Sequence, residues 1–218
     1  MAWLAVQALV IVVLFAPMSV SVETFASHAL PVSLAAIASV PAELAVIWLA
    51  VRLRGWRFAD YLALVWPDRR FLILGLFCIA VLLPLIDLSS YLSGQSIVPD
   101  FMRDLYRTAR RSNTIWLLAI AVIVAAPLAE ELVFRGFMFR GLLSARVGAW
   151  GAILIPSTIW TGMHIQYSPF YLMQILALGL LFGWLRWRSG STALPLVLHA
   201  IVNLGSLIEV AFIVEGLS

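Results

Sequence analysis

Lysine is absent from the 218 residues, and the formal charge of +3 rests on 14 arginines set against 11 acidic residues. So small an excess excludes the basic surface that nucleic-acid binding requires, and no nucleic acid is expected among the partners. Cysteine occurs once, at Cys78, which excludes an intramolecular disulfide and a cysteine metal cluster. On an apolar run, Cys78 reads as a small buried side chain. Charge of either sign is scarce: 11% of residues, where soluble domains carry roughly a quarter. That excludes a soluble globular fold. What is present instead is 63% hydrophobic residues and a mean hydropathy of +1.04, the composition of a chain whose solvent is the bilayer. Linkers, low-complexity stretches and internal repeats are missing as well. The sequence is therefore read as one integrated membrane domain, with N-terminal helices and an interfacial loop over 1–113 and a functional helical core over 114–218.

An apolar run of about 20 residues crosses the hydrocarbon core. Seven such runs lie near 3–22, 29–51, 71–93, 114–134, 149–166, 169–186 and 192–213. They predict an all-α, polytopic transmembrane bundle of about seven spans, an integral membrane protein whose compact build suggests a prokaryotic cell membrane. The fourth run contains Pro127 and a pair of carboxylates and can continue as one long helix to about Leu143. The N-terminus lacks the basic region of a cleaved secretory signal, so it is expected to be the first membrane helix. Arg52, Arg54, Arg57, Arg69, Arg70, Arg146, Arg186 and Arg188 fall in loops that share one side. By the bias of arginine towards cytoplasmic loops, this places the N-terminus inside and the C-terminus outside. One loop opposes that orientation. "PDFMRDLYRTARRSN" carries Arg103, Arg107, Arg110 and Arg111 on the other side, but its spacing is that of an amphipathic interfacial helix, which can bear arginine on either face.

Polar groups are unevenly placed along these runs. Spans one to three hold only Glu43 and Asp87, each close to a proline and read as a packing or interfacial group. The C-terminal half holds Glu130, Glu131, Arg135, His164, His199 and Asn203, although an ionisable group at a helix centre costs about 2.5–3.5 kcal/mol on insertion scales. In "EELVFR", Glu131 and Arg135 are four apart with the acid N-terminal, the favourable order for a pair. Glu130 points about 100° away and keeps no cation of its own, the setting in which a carboxylate can serve as a general base. "WTGMH" puts Trp160 and His164 one helical turn apart, and "HAIVN" does the same for His199 and Asn203.

Counted from a turn near Val147 and Gly148, Glu130 and His164 lie at the same depth, roughly 25 Å up their helices. His199 and Asn203 lie roughly 14–20 Å from a turn near Gly190. Each motif alone has a plain structural reading: a charge cluster locking helices, a hydrogen-bonded packing histidine, an interhelical asparagine. Together they supply a base, two imidazoles and an amide donor, the parts that activate water and stabilise an oxyanion. Three classes of function remain open: a hydrolase, a non-catalytic scaffold, and a small proton-coupled transporter. Against the last, the chain has no paired inverted halves.

These motifs resemble those of the CPBP intramembrane proteases, also called the Abi family, which includes CAAX prenyl endopeptidases and bacteriocin-processing enzymes. The family's EExxxR, aromatic-xxx-H and HxxxN or HxxxD appear in order as Glu130 to Arg135, Trp160 to His164, and His199 to Asn203, within "PLAEELVFRGFMFRGLL". The resemblance covers about residues 114–210. One departure is Trp160, where the family most often has Phe; it is expected to reshape the pocket and leave the chemistry alone. The resemblance implies peptide-bond hydrolysis in the membrane, on a membrane-associated protein or peptide substrate. Glu130 activates water, His164 assists, His199 and Asn203 stabilise the oxyanion, and Glu131 and Arg135 support them. Both metal-dependent and metal-free mechanisms are implied by it. The chain has no HExxH. A tightly bound metal is not expected, and if zinc is present Glu130, His164 and His199 are its ligands. A bacteriocin-immunity protein on the same fold is the non-catalytic alternative.

Overall fold

The structure is a computed structural model that describes residues 28–145 and 147–216; the expected first span near 3–22 and Arg146 lie outside the described residues. Uninterrupted apolar runs form helices because lipid offers no partner to a free backbone group. Among the described residues eight helices follow: α1 Ala29–Leu53, α2 Phe58–Tyr61, α3 Arg69–Leu92, α4 Asp100–Arg111, α5 Ile115–Leu143, α6 Gly148–Gly162, α7 Pro169–Ser189 and α8 Ala193–Glu215. The fold is all-α. Five of the helices, α1, α3, α5, α7 and α8, are long and apolar enough to cross a membrane. Local signals set their ends. Asp68 accepts the backbone N–H of Arg70 at the start of α3, and Gly190, at φ +68°, closes α7 in a left-handed turn suited to glycine.

The fifth expected span is shorter than the sequence suggests. Helix α6 has 15 residues, or roughly 22 Å at 1.5 Å per residue, less than the roughly 30 Å of hydrocarbon. It ends at Gly162 because the His164 ring, already beyond the helix, bonds the Trp160 carbonyl through Nδ1 at 2.8 Å. The expectation that Trp160 and His164 sit on consecutive turns of one helix is thereby corrected.

Helix α5 is the central element: 56% of its most apolar window is buried, against 11–33% for the other four long helices. It runs unbroken to Leu143 but is α-helical only in parts. Ala121–Ala125 and Leu132–Met138 are π-helical, and the acidic pair sits on the α-helical turn between them, Ala126–Glu131. Pro127 contributes, since it has no N–H to return to the preceding turn. Carbonyls loosened by the wider turns are taken up by side chains. Asn203 Nδ2 donates to Val122 O at 2.8 Å, and Arg186 Nε donates to Arg135 O at 2.9 Å.

Helix α4 has the amphipathic pattern read from the sequence, but protein rather than lipid covers its apolar face. Leu105, Tyr106 and Ala109 are buried against Ala29 of α1, Leu118 of α5, and Leu207 and Val210 of α8. Three of its four arginines find nearby acids: Arg103 with Asp100, Arg107 with Asp104, and Arg110 with Glu215.

Candidate active site

Glu130, His164, His199 and Asn203 line one cavity of about 690 Å³, together with Trp160 and Tyr167. Three elements deliver them: the α-helical turn of α5, the end of α6 with the loop after it, and two consecutive turns of α8. Glu131 and Arg135 lie behind this wall, outside the cavity lining.

The two adjacent carboxylates are in different worlds. The Glu131 side chain is 0% exposed and the Glu130 side chain 19%. Glu131 Oε1 accepts Arg135 Nη1 at 2.9 Å and contacts His199 Nδ1 at 2.9 Å. Arg135 is itself fully enclosed: its Nη2 donates to Gly179 O at 3.2 Å, and its Cζ lies 4.6 Å from the Trp160 ring centroid. A buried charge pair is tolerable when further hydrogen bonds and an aromatic face compensate it. The pair also sets the His199 tautomer, because a carboxylate at Nδ1 holds a proton there. His199 then turns Nε2 towards Glu130, 3.9 Å from Oε2.

Glu130 has one short hydrogen bond. Trp160 Nε1 donates to its Oε2 at 2.6 Å. The sequence reading gave Trp160 a shaping role; in addition its indole N–H, which a phenyl ring lacks, hydrogen-bonds the less buried of the two carboxylates. The Trp160 ring also packs edge-on to both imidazoles, with centroids 5.1 Å from His164 and 5.5 Å from His199. His164 gives Nδ1 to the Trp160 carbonyl, which leaves Nε2 as its free nitrogen.

Asn203 is partly committed. Its bond to Val122 O leaves one amide N–H available to the cavity. Tyr167, overlooked in the sequence, stacks on His164 with centroids 6.1 Å apart. Burial first, and then the charge of Glu130, raise its phenol above the ordinary value, so it remains a hydroxyl. The signal available was a tyrosine three residues beyond the motif histidine. Asp87 and Glu209, from α3 and α8, line the same cavity, as does Gln174 of α7.

A zinc site would need Glu130, His164 and His199 on one ion. Among the described residues, no group of three or more His, Cys, Asp or Glu side chains is gathered as such a ligand set. Glu131 engages Nδ1 of His199, and a carboxylate on that nitrogen leaves Nε2 free to face a metal as well as Glu130.

Residues 112–205 match the family model for type II CAAX prenyl endopeptidase Rce1-like proteins. The match spans every motif residue from Glu130 to Asn203, so the C-terminal half carries an Rce1-like segment, in agreement with the CPBP resemblance. Over 85 residues the chain is 34% identical to an uncharacterized 24.3 kDa protein of Escherichia coli, covering 38% of this chain and 39% of that one. Over 81 residues it is 30% identical to the UPF0177 protein YxdF of Lactococcus lactis, covering 37% and 43%. The chain thus spans about two fifths of the length of the curated relatives it matches. No solved structure matches it.

Proposed function

We propose that the protein is an intramembrane endopeptidase that hydrolyses peptide bonds of membrane-associated protein or peptide substrates. One observation carries this reading: the less buried member of the acidic pair faces His199 in a cavity of about 690 Å³ within an apolar bundle. Glu130 takes a proton from water as the oxygen attacks the scissile carbonyl. Asn203, through its spare N–H, and His199, when Nε2 is protonated, donate to the oxyanion that forms. Glu130 then passes its proton to the departing amine, so water's two protons end on the new amine and the new carboxyl group. Nε2 of His164 orients the water. Glu131 and Arg135 act by fixing the His199 ring. No step runs through a metal, and hydrolysis is expected to persist in a strong chelator.

The test compares membranes bearing the wild-type protein with membranes bearing equal amounts of Glu130→Gln, and maps new peptide ends. Ends found only with the wild type support the reading. The same ends in both, or none in either, remove it and leave a scaffold or transporter.

A further inference from the structure

At the opposite end of the bundle from α4, two guanidinium groups lie in one corner of the fold with no acid paired to either among the described residues. Arg186, at the end of α7, is only 4% exposed. Its Nε donates to Arg135 O, and its Cζ lies 5.0 Å from the Phe139 ring centroid. The paired nitrogens Nη1 and Nη2 have no hydrogen-bond partner among the described residues, yet they are not sealed from the surface. Arg140 of α5 directly follows Phe139, the residue whose ring Arg186 covers. Its own Cζ lies over Trp56, 5.8 Å from the ring centroid, and it too has no carboxylate partner among the described residues. Arg186 is turned inward, while Trp56, Trp66, Trp150 and Trp187 at this end are exposed, as at a headgroup layer.

Two like charges in one corner of the fold, Arg186 buried and Arg140 partly so, repel one another unless an anion is shared between them. A planar guanidinium with a free fork suits phosphate, which it can bind through two parallel N–H bonds. Asp60 and Asp68, the acids of the adjoining loop, are engaged with Arg57 and Arg70. We propose that Arg140 and Arg186 form a binding site for an anionic phosphate group, supplied by a phospholipid headgroup seated inside the tryptophan rim. This site is separate from the cavity that holds Glu130.

The experiment uses the full chain, stripped of lipid in a neutral detergent and followed by native mass spectrometry. It is titrated with short-chain phosphatidylglycerol, with phosphatidylcholine of equal chain length, and with inorganic phosphate. Phosphatidylglycerol is expected to bind more tightly than phosphatidylcholine, and Arg140→Gln to weaken it about five-fold. Arg188→Gln removes an equal charge from an exposed position on the same end and is expected to leave binding unchanged. Arg186→Gln also strips the bond to Arg135 O, so the decisive comparison is Arg140 with Arg188. Phosphatidylglycerol that inorganic phosphate cannot displace assigns the site to lipid; complete displacement assigns it to the free anion. Equal binding of the two lipids, or equal losses in Arg140→Gln and Arg188→Gln, overturns the site. The readout is binding alone and stands whether or not the chain cleaves peptides.

Discussion

Trp160 alters the surroundings of the carboxylate beside it. A phenylalanine there would fill nearly the same space but leave Glu130 Oε2 without its 2.6 Å donor. A hydrogen bond to a charged group contributes about 1.5–3 kcal/mol, part of it to the carboxylate's placement. Trp160→Phe is therefore expected to lower kcat roughly tenfold with little change in KM. A change confined to KM would return Trp160 to pocket shape alone. Outside the site, Tyr106 donates to Glu215 Oε1 at 2.6 Å. Burial, followed by the hydrogen bond and charge of Glu215, raises its phenol above the ordinary value of 10.0. The folded protein thus holds this proton more tightly than the unfolded chain. The resulting stability is full below about pH 10 and is lost as pH climbs through the higher folded value. Thermal melts between about pH 8 and 11 should show that loss. In Tyr106→Phe they should start lower, by about 1 kcal/mol at neutral pH, with this alkaline loss removed.

At the scale of elements, α6, α7 and the acidic helix meet where a side chain is missing. A Cβ on Gly179 would lie 3.1 Å from Trp160 Cε3 and 3.3 Å from Ser157 Cβ, and the Gly179 carbonyl receives Arg135. Gly179→Ala is expected to cost roughly 1–3 kcal/mol through overpacking and to reduce activity by shifting Trp160. Gly205→Ala, whose Cβ would meet nothing within 4 Å, should leave the melting temperature unchanged. The spacing of Glu131 and Arg135 was legible from helical periodicity because four residues bring two side chains together. So was the convergence of Glu130, His164, His199 and Asn203, since hairpin lengths fix depth. The π-helical stretches were not. Their stability comes from Asn203 and Arg186 reaching carbonyls 81 and 51 residues away, contacts that no local pattern encodes. The early end of α6 was hidden for a similar reason, as it depends on a ring bonding a carbonyl four residues back.

For the whole molecule, charge separates the two ends. Arg52, Arg54, Arg57, Arg69, Arg70, Arg140, Arg186 and Arg188 belong to the end where Thr192 N–H bonds Ala63 O and Trp150 packs by Trp187. The other end carries the α4 arginines, three of them beside acids. Arginine in short loops selects the cytoplasmic side, so the tryptophan-rimmed end is expected to face inward. In a Cys78→Ala background, a cysteine replacing Trp66 should resist an impermeant maleimide in intact cells, while one replacing Ser112 should react. The reverse pattern inverts the topology.

This arrangement gives Glu130 a reachable oxygen and keeps Glu131 for holding His199. The decisive quantity is the rate at which purified, reconstituted Glu130→Gln cleaves a membrane peptide, measured beside wild type at equal amounts and equal melting temperature. Loss of a general base predicts a fall of about 10²–10⁴-fold; an unaltered rate would show that this carboxylate does not activate the water.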